Sequence, residues 1–405
     1  MGARVVNGDG SREADGRRLA GLLAPMLDRV PAEQVRLDAA AWHALATRAV
    51  RERLGPLLHA ALQRAGRADV PTAVQTLLAQ EHCRAAAAAL YQQQELAAIL
   101  RACADAQIPC IVLKGSALAV TLYPDPALRP CGDIDLLFHA ADLGRVLDLL
   151  RGRGFAMPDA ESLQRSAAGS IGEYHLTRRG ARPAIVEPHW RLTNNPIYGR
   201  RLTPAWFWAQ TATARIGGEA ATVLAPHAQF LHLAAHYYLH HGGEQLLWLF
   251  DLALLLHQHG RRWDWEQLAE QAQRLGILLC VCAAIDAVQQ RWGSGEGMCA
   301  RPALALRAAG WVERLEWRLL RAPESALWAP WRALHGGTRQ TLPHRLAGLA
   351  APPAAVLTRH YGLPAGAYTR RDLWAAHCRR YARLPRRIWQ AGRELWGIVP
   401  PWGRG

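Results

Sequence analysis

The sequence predicts an α+β fold, with a small mixed β-sheet core flanked by helical N-terminal and C-terminal regions. Three observations carry this. Amphipathic, breaker-poor segments fill both flanks, short β-prone runs cluster between residues 108 and 192, and half of the 405 residues are hydrophobic. That is ample for buried cores, and about two or three domains are expected at this length.

The polar, glycine-rich residues 1–16 read as a disordered tail. Residues 17–107 read as helical throughout. Leu19, Leu22, Leu23, Met26 and Leu27 share one apolar face, and Trp42, Leu45, Val50 and Leu54 share another. Residues 73–106 are alanine-rich and almost free of breakers. An α/β core is expected over 108–203. It opens with the strand Ile108–Leu113, then a short helix over 117–122 capped by Ser116 and closed by Tyr123-Pro-Asp-Pro126. A strand over 133–138, a helix over 141–151 and strands over 173–178 and 184–192 complete it. Pro188 lacks a ladder donor, which predicts an edge position for the last strand. A helical domain over 204–300 follows, with helices near 231–238, 246–257, 265–275 and 278–291. Residues 301–405 form an Arg/Trp-rich helical C-terminal region.

The net charge of +15 and pI near 10.2 favour anionic partners: nucleotides, nucleic acid or an acidic membrane surface. The eight cysteines form no CxxC pair, which argues against a disulfide framework or a zinc site. Cys280 and Cys282 lie in an apolar run and read as small hydrophobes. No secretory signal or transmembrane segment is legible, so a cytoplasmic protein is expected.

The chemistry concentrates around residue 114. Lys114 is the one lysine against 47 arginines. It precedes Gly115-Ser116, where a strand ends and a helix opens, and such a terminus presents backbone N–H groups to phosphate. Asp133 and Asp135, two apart on a strand, project from one face, as Glu187 and His189 do on a later strand. Paired carboxylates suit two divalent cations that clamp the attacking and leaving oxygens of phosphoryl transfer. A lone Asp-x-Asp is common on solvated strand edges; the Gly-Ser turn and third carboxylate give this one its weight.

Four segments together resemble the bacterial nucleotidyltransferase family, a largely uncharacterised branch of the polymerase-beta-like superfamily. They are Leu113-Lys-Gly-Ser116 with the following Ala-Leu-Ala119, Leu122-Tyr-Pro-Asp-Pro126, Arg129-Pro-Cys-Gly-Asp-Ile-Asp-Leu-Leu137 and Glu187-Pro-His-Trp190. The resemblance extends from about residue 18 to about 295. It implies a Mg²⁺-dependent transfer of NMP from an NTP, with ATP favoured, to an unidentified small molecule, peptide or RNA, releasing pyrophosphate. Gly115 and Ser116 would hold phosphates, and Asp133, Asp135 and Glu187 would bind a two-metal site. Glu187 would also orient or deprotonate the acceptor hydroxyl.

Further candidates carry two readings each. Lys114 reaches the triphosphate or pairs with a carboxylate. Arg129 neutralises phosphate or fixes its loop. His232, His236 and His240 form a helical stripe of packed or cleft-lining side chains, with His236 facing the site and, like His189, a candidate for acceptor binding. Asp251 sits in an apolar helix and needs a partner: an arginine, or the acceptor. The basic, tryptophan-rich residues 370–396 bind RNA, lie on an acidic membrane, or form a solvated helical face. Two rivals to the enzyme remain: a catalytically silent interaction module of the same fold, and an RNA-binding protein that uses the basic C-terminal segment.

Overall fold

A computed structural model of the chain describes residues 9–29, 37–167, 171–180, 183–195, 198–293 and 309–321, with single positions at 304, 307, 369, 371 and 372. The N-terminal flank holds four helices, α1 (Asp9–Leu23), α2 (Ala39–Arg51), α3 (Gly55–Arg64) and α4 (Thr72–Asp105). Helix α1 begins inside the stretch expected as a tail. The Asp38 carboxylate accepts from the Ala41 amide and caps α2. With 34 residues, α4 is about 51 Å long. Its Val74 and Leu78 belong to the core of the helical flanks, whereas Leu96, Ile99 and Leu100 belong to the core around the sheet. One helix therefore serves both cores.

Six strands form one mixed sheet in the order β3-β4-β2-β1-β6-β5. These are β1 (Cys110–Val112), β2 (Ile134–Phe138), β3 (Leu176–Arg178), β4 (Ala184–His189), β5 (Thr211–Ile216) and β6 (Glu219–Leu224). Helices α5 (Lys114–Thr121), α6 (Leu143–Gly152), α7 (Ala160–Ala167) and α8 (Pro204–Trp208) connect them. Strand β1 runs antiparallel to β2 and parallel to β6, while β2 and β4 are parallel.

Three expectations need correction. The β5–β6 hairpin belongs to the sheet, so the core does not end at residue 203. Its two-residue turn, Gly217-Gly218, has φ of 55° and 90°, which glycine tolerates and other residues resist. Strand β4 is interior rather than an edge. Its Pro188 lies past the end of β3, and the Pro188 carbonyl accepts from the Tyr174 amide, so the missing N–H faces an interrupted ladder. Ser116 does not cap a helix, because α5 already starts at Lys114.

The C-terminal flank holds α9 (Pro226–Leu239), α10 (Leu246–His259), α11 (Trp265–Arg274), α12 (Leu278–Trp292) and α13 (Trp311–Arg321). Glu316 of α13 is fully buried and takes both Nη groups of Arg201. Cys280 is buried within α12 as a small hydrophobe, and every cysteine among the described residues is a free thiol. No helix among the described residues is long and apolar enough to cross a membrane. Apart from Arg371 and Asp372, the basic segment 370–396 lies outside them.

Candidate functional site

The site forms where β1 turns into α5. Lys114 takes a left-handed backbone, φ 47°, at the first position of the helix. Such a conformation is costly for a residue with a Cβ and needs surrounding structure to hold it. Lys114 Nζ donates to Asp135 Oδ1 at 2.8 Å, an ion pair with both side chains largely buried. Leu113 at the N-cap is extended and no side chain caps the helix, so its first-turn amides are not occupied by a capping group. Gly115 is a steric requirement here, since a Cβ there would lie 2.7 Å from Cys131 Sγ. The Ser116 hydroxyl makes a long contact, 3.4 Å, with the Asp133 carbonyl, which also accepts from Gln92 of α4 at 2.6 Å.

The parallel register sets Asp135 beside Glu187 and Leu137 beside His189. All of Asp135, Glu187 and His189 therefore share one face. His189 is 1% exposed and bridges two carboxylates, with Nε2 at 2.8 Å from Asp135 Oδ1 and Nδ1 at 2.8 Å from Glu173 Oε2. Ionised carboxylates only accept, so the imidazole donates from both nitrogens and carries a positive charge. Its pKa is accordingly raised: burial and the Lys114 charge push it down, and the bonds to Asp135 and Glu173 outweigh them. Burial likewise pushes the Asp135 carboxyl up, but Lys114 and His189 hold it well below the usual carboxylate range.

Two of the neighbouring carboxyls, Asp133 and Glu187, lie on the other side of their usual values. Burial and the Asp135 charge raise Asp133, against Lys114 and Arg53. Burial, then Asp135 and Glu173, raise Glu187, although His175 Nδ1 bonds its Oε1 at 2.9 Å. This surplus of negative charge is what a divalent cation relieves. Asp135 and Glu187 each offer a ligand oxygen, and His189 Nε2 could join them only after releasing its proton; the three atoms lie within 4.8 Å of one another. Asp133 stands outside that group, half-buried and one residue before β2. The oxygen-rich part of the set fits a hard cation.

Arg129 and Asp251 are committed to each other. Arg129 Nε donates to Asp251 Oδ1 and Nη2 to Oδ2, both at 2.8 Å, and the Tyr123 hydroxyl donates to Oδ1 at 2.7 Å. Arg129 is 5% exposed and Asp251 fully buried. Of the two readings open for each residue, the structure shows the ion pair: Asp251 has an arginine as its partner, and Arg129 is tied by it to α10. A Cβ on Gly115 would come 3.6 Å from Arg129 Nη1.

His236 is buried, stacks on His240 with ring centroids 4.6 Å apart, and brings its Nε2 to 2.9 Å from His241 Nε2. Burial and then the Lys114 charge hold His232, His236 and His240 below their ordinary values. Sequence reading missed Glu173, which Asn194 Nδ2 also holds at 2.6 Å. It is joined to β4 by an isolated bridge to His189, which strand patterning does not reveal.

Carboxylates beside an uncapped helix start form a layout suited to a polyphosphate held with a cation. The chain belongs to the uncharacterised nucleotidyltransferase family, whose profile matches residues 38–293, more than half its length and all the segments just described. No curated protein and no solved structure matches the chain.

Proposed function

We propose that the protein is a magnesium-dependent nucleotidyltransferase that moves an NMP from an NTP to an acceptor hydroxyl, releasing pyrophosphate. The observation that carries this reading is the β2–β4 register that sets Asp135 beside Glu187, next to the uncapped Gly115-Ser116 turn. Family membership supports the reaction class.

The acceptor oxygen attacks the α-phosphorus, and the bond from that phosphorus to the bridging oxygen of pyrophosphate breaks. The hydroxyl proton needs a base, and Glu187 has the role. It is half-buried with a raised pKa, closer to the pH at which a base works well. First-turn amides of Gly115 and Ser116, with the Ser116 hydroxyl, hold the leaving phosphates. Asp135 and Glu187, with Asp133 at the rim, would hold the metal, which when bound neutralises phosphate charge. Lys114 and protonated His189 keep Asp135 ionised and in place.

The test is thermal stabilisation by each of the four NTPs, with Mg²⁺ and with EDTA, on wild type, Asp133→Asn and Glu187→Gln. A Mg²⁺-dependent rise that is lost in the variants is expected; ligand at about 100 times Kd stabilises by about 2.7 kcal/mol. No shift with any NTP would sink the enzyme reading and favour a catalytically silent module.

A further inference from the structure

The helical flank supplies a cation to this site that the family motifs do not contain. Helix α2 ends in a tight cap: the Arg53 amide donates to the Val50 carbonyl and the Leu54 amide to the Ala49 carbonyl. The cap places Arg53 at φ 61°. Glycine is the usual residue at that position. Asp28 and Gln107 close other helices at positive φ (51° and 53°), so the strained cap alone assigns nothing. What separates Arg53 is where its side chain goes. A Cβ on Gly132 would lie 3.1 Å from Arg53 Nη2, 3.2 Å from Nη1 and 3.5 Å from Cζ. Both nitrogens are nearer than Cζ, so the open fork of the guanidinium faces Gly132, the residue before Asp133.

The other cations near the turn are already engaged. Lys114 pairs with Asp135, Arg129 with Asp251, and His189 lies between two carboxylates. Arg53 is exposed, and among the described residues its side chain has neither a hydrogen bond nor an ion pair. A planar fork with unused donors beside a carboxylate at the rim is matched to a phosphate oxygen pair. We propose that Arg53 binds the polyphosphate of the donor nucleotide, as a residue the helical flank lends to the α/β core. This rests on the nucleotidyltransferase reading. A Cβ at residue 132 would crowd the fork by a few tenths of an ångström, so Gly132 leaves it room.

The test exploits the strained cap. Arg53→Gly puts the preferred residue at a left-handed position, so the melting temperature without ligand should hold or rise. Affinity for Mg²⁺·ATP and for Mg²⁺·tripolyphosphate, measured by calorimetry, should fall at least tenfold. Arg53→Lys keeps the charge without the fork and should fall between. A lower melting temperature with unchanged affinity would make Arg53 structural and overturn the proposal, as would equal affinity at any stability. If the wild type binds neither ATP, any other NTP nor tripolyphosphate, the nucleotidyltransferase reading fails first and Arg53 falls with it. Binding that is lost in Asp133→Asn but kept in Arg53→Gly would leave the reading intact and reject Arg53 alone.

Discussion

Asp251 is fully buried, and Arg129 and Tyr123 compensate its charge. Removing one partner of such a pair leaves a buried charge uncompensated, which costs about 3–5 kcal/mol. Asp251→Ala should therefore lower the unfolding free energy by about that much, read from urea denaturation. The double variant Arg129→Met/Asp251→Leu should recover much of the loss, because neither charge then remains. A double variant as unstable as the sum of its singles would show that the two residues act independently. Asp251 was legible as a carboxylate in need of a partner, and Arg129 as a cation near Asp133. That each answers the other was not, since 122 residues separate them and only the packing of α10 against the turn brings them together.

Helix α9 and the residue pair that follows it add a pH dependence. Burial, with the Lys114 charge behind it, pushes His232 down to about 3 and His240 to about 4; burial and His240 push His241 to about 4. These are bases whose folded values lie below the ordinary 6.5. The unfolded chain takes up their protons first, so their contribution is complete above about pH 6.5 and fades as pH falls toward 4 and then 3. His189 has the opposite sign: its raised value gives stability that is full below 6.5 and lost as pH rises through the folded value. The melting temperature should peak near neutrality. Neither His232 nitrogen has a partner among the described residues, so His232→Leu should flatten the acid limb. An acid limb of unchanged slope would remove His232 from the account. The pattern i, i+4, i+8 was readable as one stripe, and its neutral state follows from burial, which a sequence does not display. Strands β5 and β6 went unread for a related reason. Thr211, Thr213 and Arg215 face solvent beside small alanines, too little apolar alternation to signal a strand.

Across the whole molecule, the legible parts were those where chemistry is local. The Leu113–Ser116 turn, the Asp-x-Asp strand and the Glu187–His189 strand each announce themselves within a few residues. Glu173, Gln92 and Arg53 reach the same site from a bridge, a long helix and a helix cap, and nothing local marks them. One feature of the chain as a whole turns this into a practical tool. Lys114 is the single lysine in 405 residues, and its ammonium is held by Asp135 with a raised pKa, since that charge and Glu173 outweigh burial. A protonated, paired amine is a poor nucleophile toward acylating reagents. Intact-mass spectrometry after mild acylation should therefore show almost no side-chain modification in the wild type. Asp135→Asn removes the partner, and one added acyl group should then appear at Lys114. The protein thus reports the state of its own site through a single amine, with no label introduced.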